Sequence, residues 1–142
     1  MENSRIILIT GASSGIGYRA ALKMLELGNT VIAPCRNTDK SNYMLSRIRR
    51  DILHSKNIKE KLYLPILDLS NLNSINTFCT KLSHEIKVID SLVLNAGLQY
   101  TGSKEPRWSF DGFELTFAVN HLGHQYLTQS ILPLLYNSIY PR

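Results

Sequence analysis

A glycine-rich segment near the N-terminus is the part of the sequence whose residue types and spacing point most clearly to chemistry. It follows a short apolar run, precedes a helical pattern of apolar residues, and reads Thr10-Gly11-Ala12-Ser13-Ser14-Gly15-Ile16-Gly17. Glycines let the backbone turn sharply and approach a pyrophosphate, while the N-terminus of the following helix offers unpaired N–H groups. The segment therefore predicts a dinucleotide site formed by Gly11, Ser13, Ser14, Gly15, Ile16 and Gly17. Because the spacing is GxxxGxG and not GxGxxG, the segment alone is also compatible with a plain strand–helix turn.

The residues after the second apolar run bear on which dinucleotide would bind. A site for NAD places an acidic side chain about 20 residues past the glycines to hold the ribose 2′-hydroxyl, whereas an arginine accommodates a 2′-phosphate. This sequence has Cys35-Arg36-Asn37 at that place. We therefore predict that Arg36, with Asn37 beside it, contacts the 2′-phosphate of NADP(H). Asp39 lies slightly farther on and is expected to stabilise the N-terminus of the next helix.

Four apolar runs alternate with helical patterns, and this order predicts the elements that would position these residues. The runs cover residues 6–9, 31–33, 62–67 and 92–94, and apolar residues recur at helical spacing between them. Strands that alternate with helices imply right-handed crossovers and one parallel sheet. The sequence thus predicts a single α/β domain over residues 1–142, a doubly wound Rossmann fold with strand order 3-2-1-4. Pro65 in the third run supports this order, because proline is tolerated at a sheet edge.

A long loop and one more helix follow the fourth run. The loop covers residues 98–109, and loops of this length are often functional. Asp111 is predicted to cap the helix, with Glu114 completing a capping box and Phe110 and Leu115 at the spacing of a hydrophobic staple. Pro133 is expected to bend or end this helix.

Three further segments, together with the glycine segment, carry a resemblance to a known family. They follow the third strand, follow the fourth strand, and lie in the last helix, and they read Asp68-Leu69-Ser70, Asn95-Ala96-Gly97 and Val119-Asn120-His121-Leu122-Gly123-His124. In type, order and position the four segments resemble those of the short-chain dehydrogenase/reductases. The resemblance covers nearly the whole chain.

This resemblance implies a reaction and a role for each segment. Asp68, with Leu69, would meet the adenine of the cofactor, and the turn formed by Asn95, Ala96 and Gly97 would lie beside the adenosine portion. Asn120 would belong to the family's catalytic set of Asn, Ser, Tyr and Lys. The implied reaction is hydride transfer between the nicotinamide of NADP(H) and a small-molecule substrate.

Two branches of the family resemble the sequence more than the others do. Residues 111–115 running into residues 119–124 are similar to light-dependent protochlorophyllide reductases and to retinol-dehydrogenase-like enzymes. The loop sequence Lys104-Glu105-Pro106 favours the protochlorophyllide branch.

The Ser and Tyr-x-x-x-Lys members of the catalytic set are not found where the family carries them. They belong at and after a fifth strand, and this sequence ends at Tyr140-Pro141-Arg142, about where that strand should begin. The one Tyr-x-x-x-Lys spacing, formed by Tyr100 and Lys104, falls in the loop and is interpreted as chance. We therefore expect a fold truncated after the fourth strand and its helix, and a chain that is inactive alone.

Other interpretations of the same residues stay open. The chain could be a non-catalytic dinucleotide-binding module or a decayed fragment. An unpaired fourth strand, or the last helix without its usual neighbours, would favour self-association.

Composition and charge argue against several other classes. Of the 142 residues, 16 are Lys or Arg and 11 are Asp or Glu, so the net charge of +5 suits an anionic ligand without indicating a polyanion. The cluster of Arg47, Arg49 and Arg50 lacks interleaved aromatic residues, and no nucleic-acid partner is predicted. No apolar run approaches the roughly 18 residues of a membrane span.

The cysteines and histidines give no metal site. Cys35 and Cys79 have no metal or redox spacing. His121 and His124 lie three residues apart on a helix, but no third ligand has suitable spacing. We predict no metal, interpret both histidines as packing or hydrogen-bonding residues, and expect a soluble cytoplasmic protein with reduced thiols.

Overall fold

The computed structural model describes residues 4–51, 61–100 and 104–142 of the chain. Its strands are β1 (Ile6–Ile9), β2 (Thr30–Ile32), β3 (Leu62–Tyr63) and β4 (Ser91–Val93). Its α-helices are α1 (Gly15–Glu26), α2 (Thr38–Asp51), α3 (Leu72–Glu85), α4 (Leu115–Phe117) and α5 (Gly123–Tyr136). A π-helical segment (Ala118–Leu122) joins α4 to α5.

The four strands form one parallel sheet in the order β3-β2-β1-β4. In the middle of the sheet Leu8 is aligned with Ile32 of β2 and with Leu92 of β4. Every strand pair is parallel, as crossovers through helices require. The predicted α/β class and strand order are confirmed.

The third strand is shorter than predicted, and Pro65 explains why. The regular ladder with β2 ends at Tyr63, and pairing resumes only as an isolated bridge between Cys35 and Ile66. Pro65 has no N–H to donate, but its carbonyl accepts the N–H of Cys35 at 2.9 Å. A proline is compatible with β3 because this strand lies at the edge of the sheet.

The core has one layer on each face of the sheet. Because successive side chains of a strand point to opposite faces, Ile7 packs with Tyr18 and other residues of α1 and α2, while Leu8 packs with Phe78 of α3 and Leu127 of α5. Each fully buried side chain of this size contributes about 1.5–3 kcal/mol relative to exposure. The two layers hold the carboxyl ends of the strands, and the loops that follow them, in fixed positions.

Tyr18 joins α1 to α2 and to the glycine segment. Its side chain is fully buried, and its hydroxyl donates to Oδ2 of Asp51 at 2.7 Å. The guanidinium carbon of Arg47 lies 3.7 Å from the centre of the Tyr18 ring, and Nη1 of Arg47 donates to the carbonyl of Ser13 at 3.4 Å. Arg50 pairs with Asp51 at 3.1 Å. Arg47 therefore fastens α2 to α1 and to the glycine segment, whereas Arg50 pairs with its neighbour Asp51 within α2.

Titration of Tyr18 gives a first testable prediction. Burial, followed by the hydrogen bond to Asp51, raises the pKa of Tyr18 from 10.0 to about 12. Because the pKa is higher in the folded state, the stability that the neutral hydroxyl contributes is complete below pH 10 and is lost as the pH rises toward about 12. We expect the Tm of the wild type, followed by circular dichroism, to fall more steeply across this window than that of Tyr18→Phe. Equal slopes would contradict the assignment.

The last helical region begins later than predicted. Glu114 is the N-cap of α4, and its carboxylate oxygens accept the N–H groups of Thr116 at 2.9 Å and Phe117 at 2.7 Å. These bonds hold the pKa of Glu114 below its usual value. The prediction that Glu114 would occupy the third helical position was therefore wrong, because its own side chain supplies the cap.

Asp111 caps a different helix from the one predicted. Its Oδ2 accepts the N–H of Leu72, the first residue of α3, at 2.8 Å. Gly112 has φ of +79°, so the chain cannot be helical directly after Asp111. Phe110 is 83% exposed and does not form the predicted staple with Leu115.

Pro133 does not end the last helix. It lies inside α5, which continues to Tyr136. Pro133 is exposed, and on that face the carbonyl one turn earlier can be hydrated, which lowers the cost of the missing hydrogen bond.

The backbone of Arg142 pairs with the outer edge of β4. The N–H of Arg142 donates to the carbonyl of Asp90 at 3.0 Å, and the N–H of Leu92 donates to the carbonyl of Arg142 at 2.9 Å. This is the pattern of a parallel ladder. It lies on the side of β4 opposite β1, where a fifth strand is expected. Farther along the same strand and just beyond it, Val93 and Leu94 are exposed.

Two properties of the described residues limit the kinds of site to consider. None of their helices is both long and apolar enough to cross a bilayer. Within the same part of the chain, no group of three or more His, Cys, Asp or Glu side chains could hold a metal ion.

Candidate functional site

A cleft of about 770 Å³ opens at the carboxyl ends of the parallel strands, where doubly wound folds bind their ligands. It is lined by all of the predicted cofactor-binding residues except Gly17 and Asn37. The predicted residues in the lining are Gly11, Ser13, Ser14, Gly15, Ile16, Arg36, Asp68, Leu69, Asn95, Ala96 and Gly97. The structure thus brings four separate segments of the sequence to one site.

The N-terminus of α1 faces this cleft without a side-chain cap. Ser14 is the N-cap residue, and its side chain makes no capping hydrogen bond. The first N–H groups of α1 are therefore not used by a side chain, and they lie at the positive end of the helix dipole. Ser13, held from behind by Arg47, and the exposed Ile16 complete this part of the wall. Such an end suits a pyrophosphate.

The glycine segment packs tightly against the turn after β4. Gly11 has φ of +67°, and a Cβ at this position would lie 2.6 Å from Cα of Ala96. Gly17 is buried, and a Cβ there would overlap the side chain of Asn95 and the carbonyl of Gly11. Nδ2 of Asn95 donates to the carbonyls of Thr10 at 3.0 Å and Gly11 at 3.3 Å. The absence of a side chain at Gly17 therefore permits the glycine segment to pack on the turn after β4, and the Asn95 amide holds the two together.

Two cationic side chains line the end of the cleft beyond β2. Arg36 was predicted there, and Lys40 in the first turn of α2 lies with it. Oδ1 of Asn37 accepts the N–H of Lys40 at 3.0 Å, so Asn37 caps α2. Burial raises the pKa of the Cys35 thiol beside them, while a hydrogen bond with Ser41 and the charge of Lys40 oppose that rise. Sequence reasoning missed Lys40, although it follows Arg36 by only four residues.

Asp68 is held at the cleft by its own turn. Its Oδ1 accepts from the N–H of Ser70 at 2.9 Å and from the Ser70 hydroxyl at 2.7 Å. Leu69 is buried, and its carbonyl lies so close to Gly123 of α5 that a Cβ there would overlap it. The turn is therefore fixed both by local hydrogen bonds and by packing on α5.

Asn120 lies behind the cleft, in the π-helical segment. Its Oδ1 accepts the N–H of Leu98 at 2.8 Å, and its Nδ2 donates to the carbonyl of Leu98 at 2.9 Å. Both ends of the amide are thus used to hold the backbone just after Gly97, which lines the cleft. The catalytic role of Asn120 stays a prediction, and the geometry adds a structural role to it.

Thr10 and His124 form a buried contact at the floor of the cleft. Oγ1 of Thr10 lies 2.9 Å from Nε2 of His124, and Nδ1 of His124 lies 3.2 Å from the carbonyl oxygen of Asn120. The hydrogen-bonding interpretation of His124 is confirmed. The ring of His121 instead packs against Phe117, with centroids 5.3 Å apart and the ring planes tilted by 35°. Sequence reasoning did not assign Thr10, because its partner lies far away along the chain.

Tyr100 lines the cleft, but it does not form a helical Tyr-x-x-x-Lys motif. Neither Tyr100 nor Lys104 lies in a helix, and residues 101–103 are outside the described residues. The guanidinium carbon of Arg107 lies 4.0 Å from the centre of the Tyr100 ring. Trp108 and Phe110 extend the same wall and are largely exposed. This wall of the cleft is therefore aromatic. The non-helical backbone at Tyr100 and Lys104 agrees with the interpretation of the Tyr-x-x-x-Lys spacing as chance.

A second cavity of about 480 Å³ lies between the β3 edge and α3. Its floor includes Ile32 and Phe78, and none of the predicted site residues lines it. The cleft at the strand ends is therefore the candidate site.

Comparison with known proteins places these features in a family. The sequence model of the short chain dehydrogenases matches residues 5–140. Retinol dehydrogenase 14 of Mus musculus is 35% identical over 146 residues, covering 97% of this chain and 42% of that protein. The chloroplastic protochlorophyllide reductase of Daucus carota is 36% identical over 136 residues, covering 95% of this chain and 32% of that protein.

A solved structure shows the same likeness. A chain from Escherichia coli CFT073, complexed with NADPH, is 30% identical to this one, with a TM-score of 0.76 and coverage of 96% of this chain and 55% of that chain. The present chain spans less than half the length of the two enzymes compared above. With the family match over nearly all of its residues and the predicted sheet and cleft in place, this chain belongs to the short-chain dehydrogenase family.

Proposed function

We propose that the cleft binds NADP(H) and that this chain is the cofactor-binding part of a short-chain oxidoreductase. The observation that carries the proposal is the position of Arg36 and Lys40, which line the same cleft as the N-terminus of α1. The helix N-terminus suits a pyrophosphate, and the two cations suit a further phosphate on the ribose. The NADPH complex of the similar E. coli chain supports the same class of cofactor.

The reaction proposed for the whole protein is hydride transfer between the nicotinamide and a small-molecule substrate. Two finer activities are supported by the relatives, whose identities of 35% and 36% are nearly equal. A protochlorophyllide-reductase-like activity is our first choice, because the Lys104-Glu105-Pro106 loop favours it, and a retinol-dehydrogenase-like activity is the alternative.

By itself this chain is proposed to bind cofactor without turnover. The sequence contains Asn120, but its one Tyr-x-x-x-Lys spacing lies in a loop. Reduction of a substrate needs a positioned proton donor as well as a hydride. A non-catalytic dinucleotide-binding module is the second candidate function, favoured by the same combination of a cofactor cleft with only one member of the catalytic set.

Two further proposals concern partners and location. Exposed apolar residues at and after β4, Val93 and Leu94, support self-association through this edge or through the adjoining α5. The free, buried thiols of Cys35 and Cys79 support a reducing compartment, which we propose to be the cytoplasm.

Amide chemical-shift mapping of the isotope-labelled chain tests the cofactor proposal. On addition of NADPH, we expect the amides of residues 11–17, 36, 40 and 95–97 to shift. The amides of Phe78 and Leu82, which line the second cavity, serve as the internal control and should not move. Shifts confined to the second cavity, or none at all, would overturn the proposal.

A turnover assay tests the statement about activity. We expect the purified chain mixed with NADPH and either retinal or protochlorophyllide (the latter illuminated) to consume no more cofactor than a protein-free mixture. Turnover that depends on the chain and disappears in Arg36→Ala would show that a proton donor is present and that the inactivity proposal is wrong.

A further inference from the structure

His124 is a buried ionisable residue placed between the floor of the cleft and the π-helical segment. Among the described residues, the buried polar ones are Thr10, His124 and Ser138, and the first two contact each other. His124 is 5% exposed and lies in the first turn of α5. One ring nitrogen contacts Thr10, which directly follows β1, and the other contacts Asn120, one turn earlier on the helix.

The contacts determine which ring nitrogen carries the proton. The carbonyl of Asn120 can only accept, so Nδ1 of His124, 3.2 Å away, must donate. In a neutral ring Nε2 is then an acceptor, and the hydroxyl of Thr10 donates to it at 2.9 Å. Burial lowers the pKa of His124, which favours this neutral form, while the hydrogen bond to Asn120 opposes that shift.

Thr10 links the His124 ring to the turn formed by Asn95 and Ala96. Its Oγ1 accepts the N–H groups of both Asn95 and Ala96, each at 3.0 Å. A hydroxyl can accept two hydrogen bonds and donate one, so Thr10 then makes every hydrogen bond that its side chain can make. The carbonyl of Val93 is an alternative acceptor for the Thr10 proton, but at 3.5 Å it is the weaker one. If Nε2 of His124 carried a proton, the same oxygen would have to accept a third N–H.

The hydrogen bonds therefore form one directed series. It runs from the Asn95 and Ala96 amides through Thr10 and His124 to the carbonyl of Asn120. The Asn120 side chain continues it by holding Leu98, directly after the turn that lines the cleft. π-helical segments occur often at functional sites, and here the segment presents its carbonyl to His124.

We propose that His124, as the Nδ1–H tautomer, is a positioning residue. It fixes the position of the Asn95–Ala96 turn relative to the π-helical segment that bears Asn120. The inference rests on the proposed cofactor site, because that turn is part of its lining. His124 itself does not line the cleft, so its influence on a bound dinucleotide acts through Thr10.

The tautomer can be measured without any variant and without cofactor. Imidazole nitrogen chemical shifts of the isotope-labelled wild-type chain report which nitrogen of each histidine is protonated. We expect His124 to show a protonated Nδ1 and an unprotonated Nε2, with no averaging between tautomers. The exposed His121 should show averaged tautomers and serves as the control. A protonated Nε2 in neutral His124 would overturn the proposal.

Two substitutions separate the two hydrogen bonds of the ring. In His124→Asn the amide can reach the carbonyl of Asn120 but not Thr10, whereas in His124→Gln the side-chain oxygen can reach Thr10. We expect the Asn95 and Ala96 amide resonances to move in His124→Asn and to stay near their wild-type positions in His124→Gln. The NADPH affinity should fall about tenfold in the former and change less than about threefold in the latter. Identical behaviour of the two variants would overturn the proposal.

Matched controls distinguish positioning from general damage. His121→Asn and His121→Gln, made at an exposed position on the same helical region, should leave the Asn95 and Ala96 resonances unchanged. Thr10→Ser keeps the shared hydroxyl and should hold the Asn95 and Ala96 resonances near their wild-type positions, whereas Thr10→Val should displace the turn. If the chain did not bind NADPH at all, the proposed function would fail, but the tautomer and the turn resonances would still decide the role of His124.

Discussion

Gly11→Ala is expected to lower the free energy of unfolding by roughly 3 kcal/mol and to abolish measurable NADPH binding. Two costs add at this position. The φ of +67° is one that L-residues adopt at a cost of about 1–2 kcal/mol, and the new Cβ would lie 2.6 Å from Cα of Ala96. The turn after β4 would have to move to relieve this overlap, and that turn is part of the cleft lining. Urea unfolding and an NADPH titration measure the two effects.

Gly112→Ala is the matched control for this prediction. Gly112 also has a positive φ, of +79°, but no heavy atom lies within 4 Å of the position its Cβ would occupy, and it does not line the cleft. We expect a loss of about 1–2 kcal/mol in stability and an unchanged NADPH affinity. If Gly11→Ala were as mild as Gly112→Ala in both measurements, the close packing of the glycine segment on the β4 turn would be refuted.

Removing the two cations at the end of the cleft is expected to have the second large effect. Hydrogen bonds to charged groups contribute about 1.5–3 kcal/mol, so Arg36→Gln should weaken NADPH binding about 10- to 100-fold. Lys40→Gln should weaken it about tenfold, because an ammonium is a point charge and not a bidentate partner. Neither change should alter NADH binding more than about twofold, since NADH lacks the 2′-phosphate. Titration of each variant with both dinucleotides measures the difference.

Arg49→Gln is the charge-matched control for these variants. Arg49 lies on α2, as Lys40 does, but it does not line the cleft. It should reduce NADPH affinity less than about twofold, through long-range charge alone. An equal loss of NADPH and NADH affinity in Arg36→Gln would assign Arg36 to a part of the cofactor other than the 2′-phosphate.

Much of the fold was predictable because it follows from local patterns. Apolar runs and helical spacing gave the four strands and their parallel order, and Pro65 alone indicated which strand lies at the edge. The same order brings the loops after β1, β2 and β4 to one end of the sheet. The glycine segment, Arg36 and Asn95 could therefore be placed in one cleft from the sequence, as they are in the structure.

What the sequence could not predict depends on contacts between distant residues. Asp111 and Glu114 have the spacing of a capping box, yet Asp111 caps α3 through Leu72, which is 39 positions away. Thr10 and His124 are separated by 114 positions, and no local pattern marks their hydrogen bond. In both cases the partners are brought together by the tertiary structure, and local spacing does not indicate them.

Titration of the wild-type chain with NADPH and with NADH, by isothermal calorimetry under one set of salt conditions, tests the central claim most directly. The cleft is predicted to bind NADPH saturably at one site and more tightly than NADH by at least about tenfold, because Arg36 and Lys40 would meet the additional phosphate. Absence of saturable NADPH binding by a cooperatively folded chain, or equal affinity for the two dinucleotides, would contradict it.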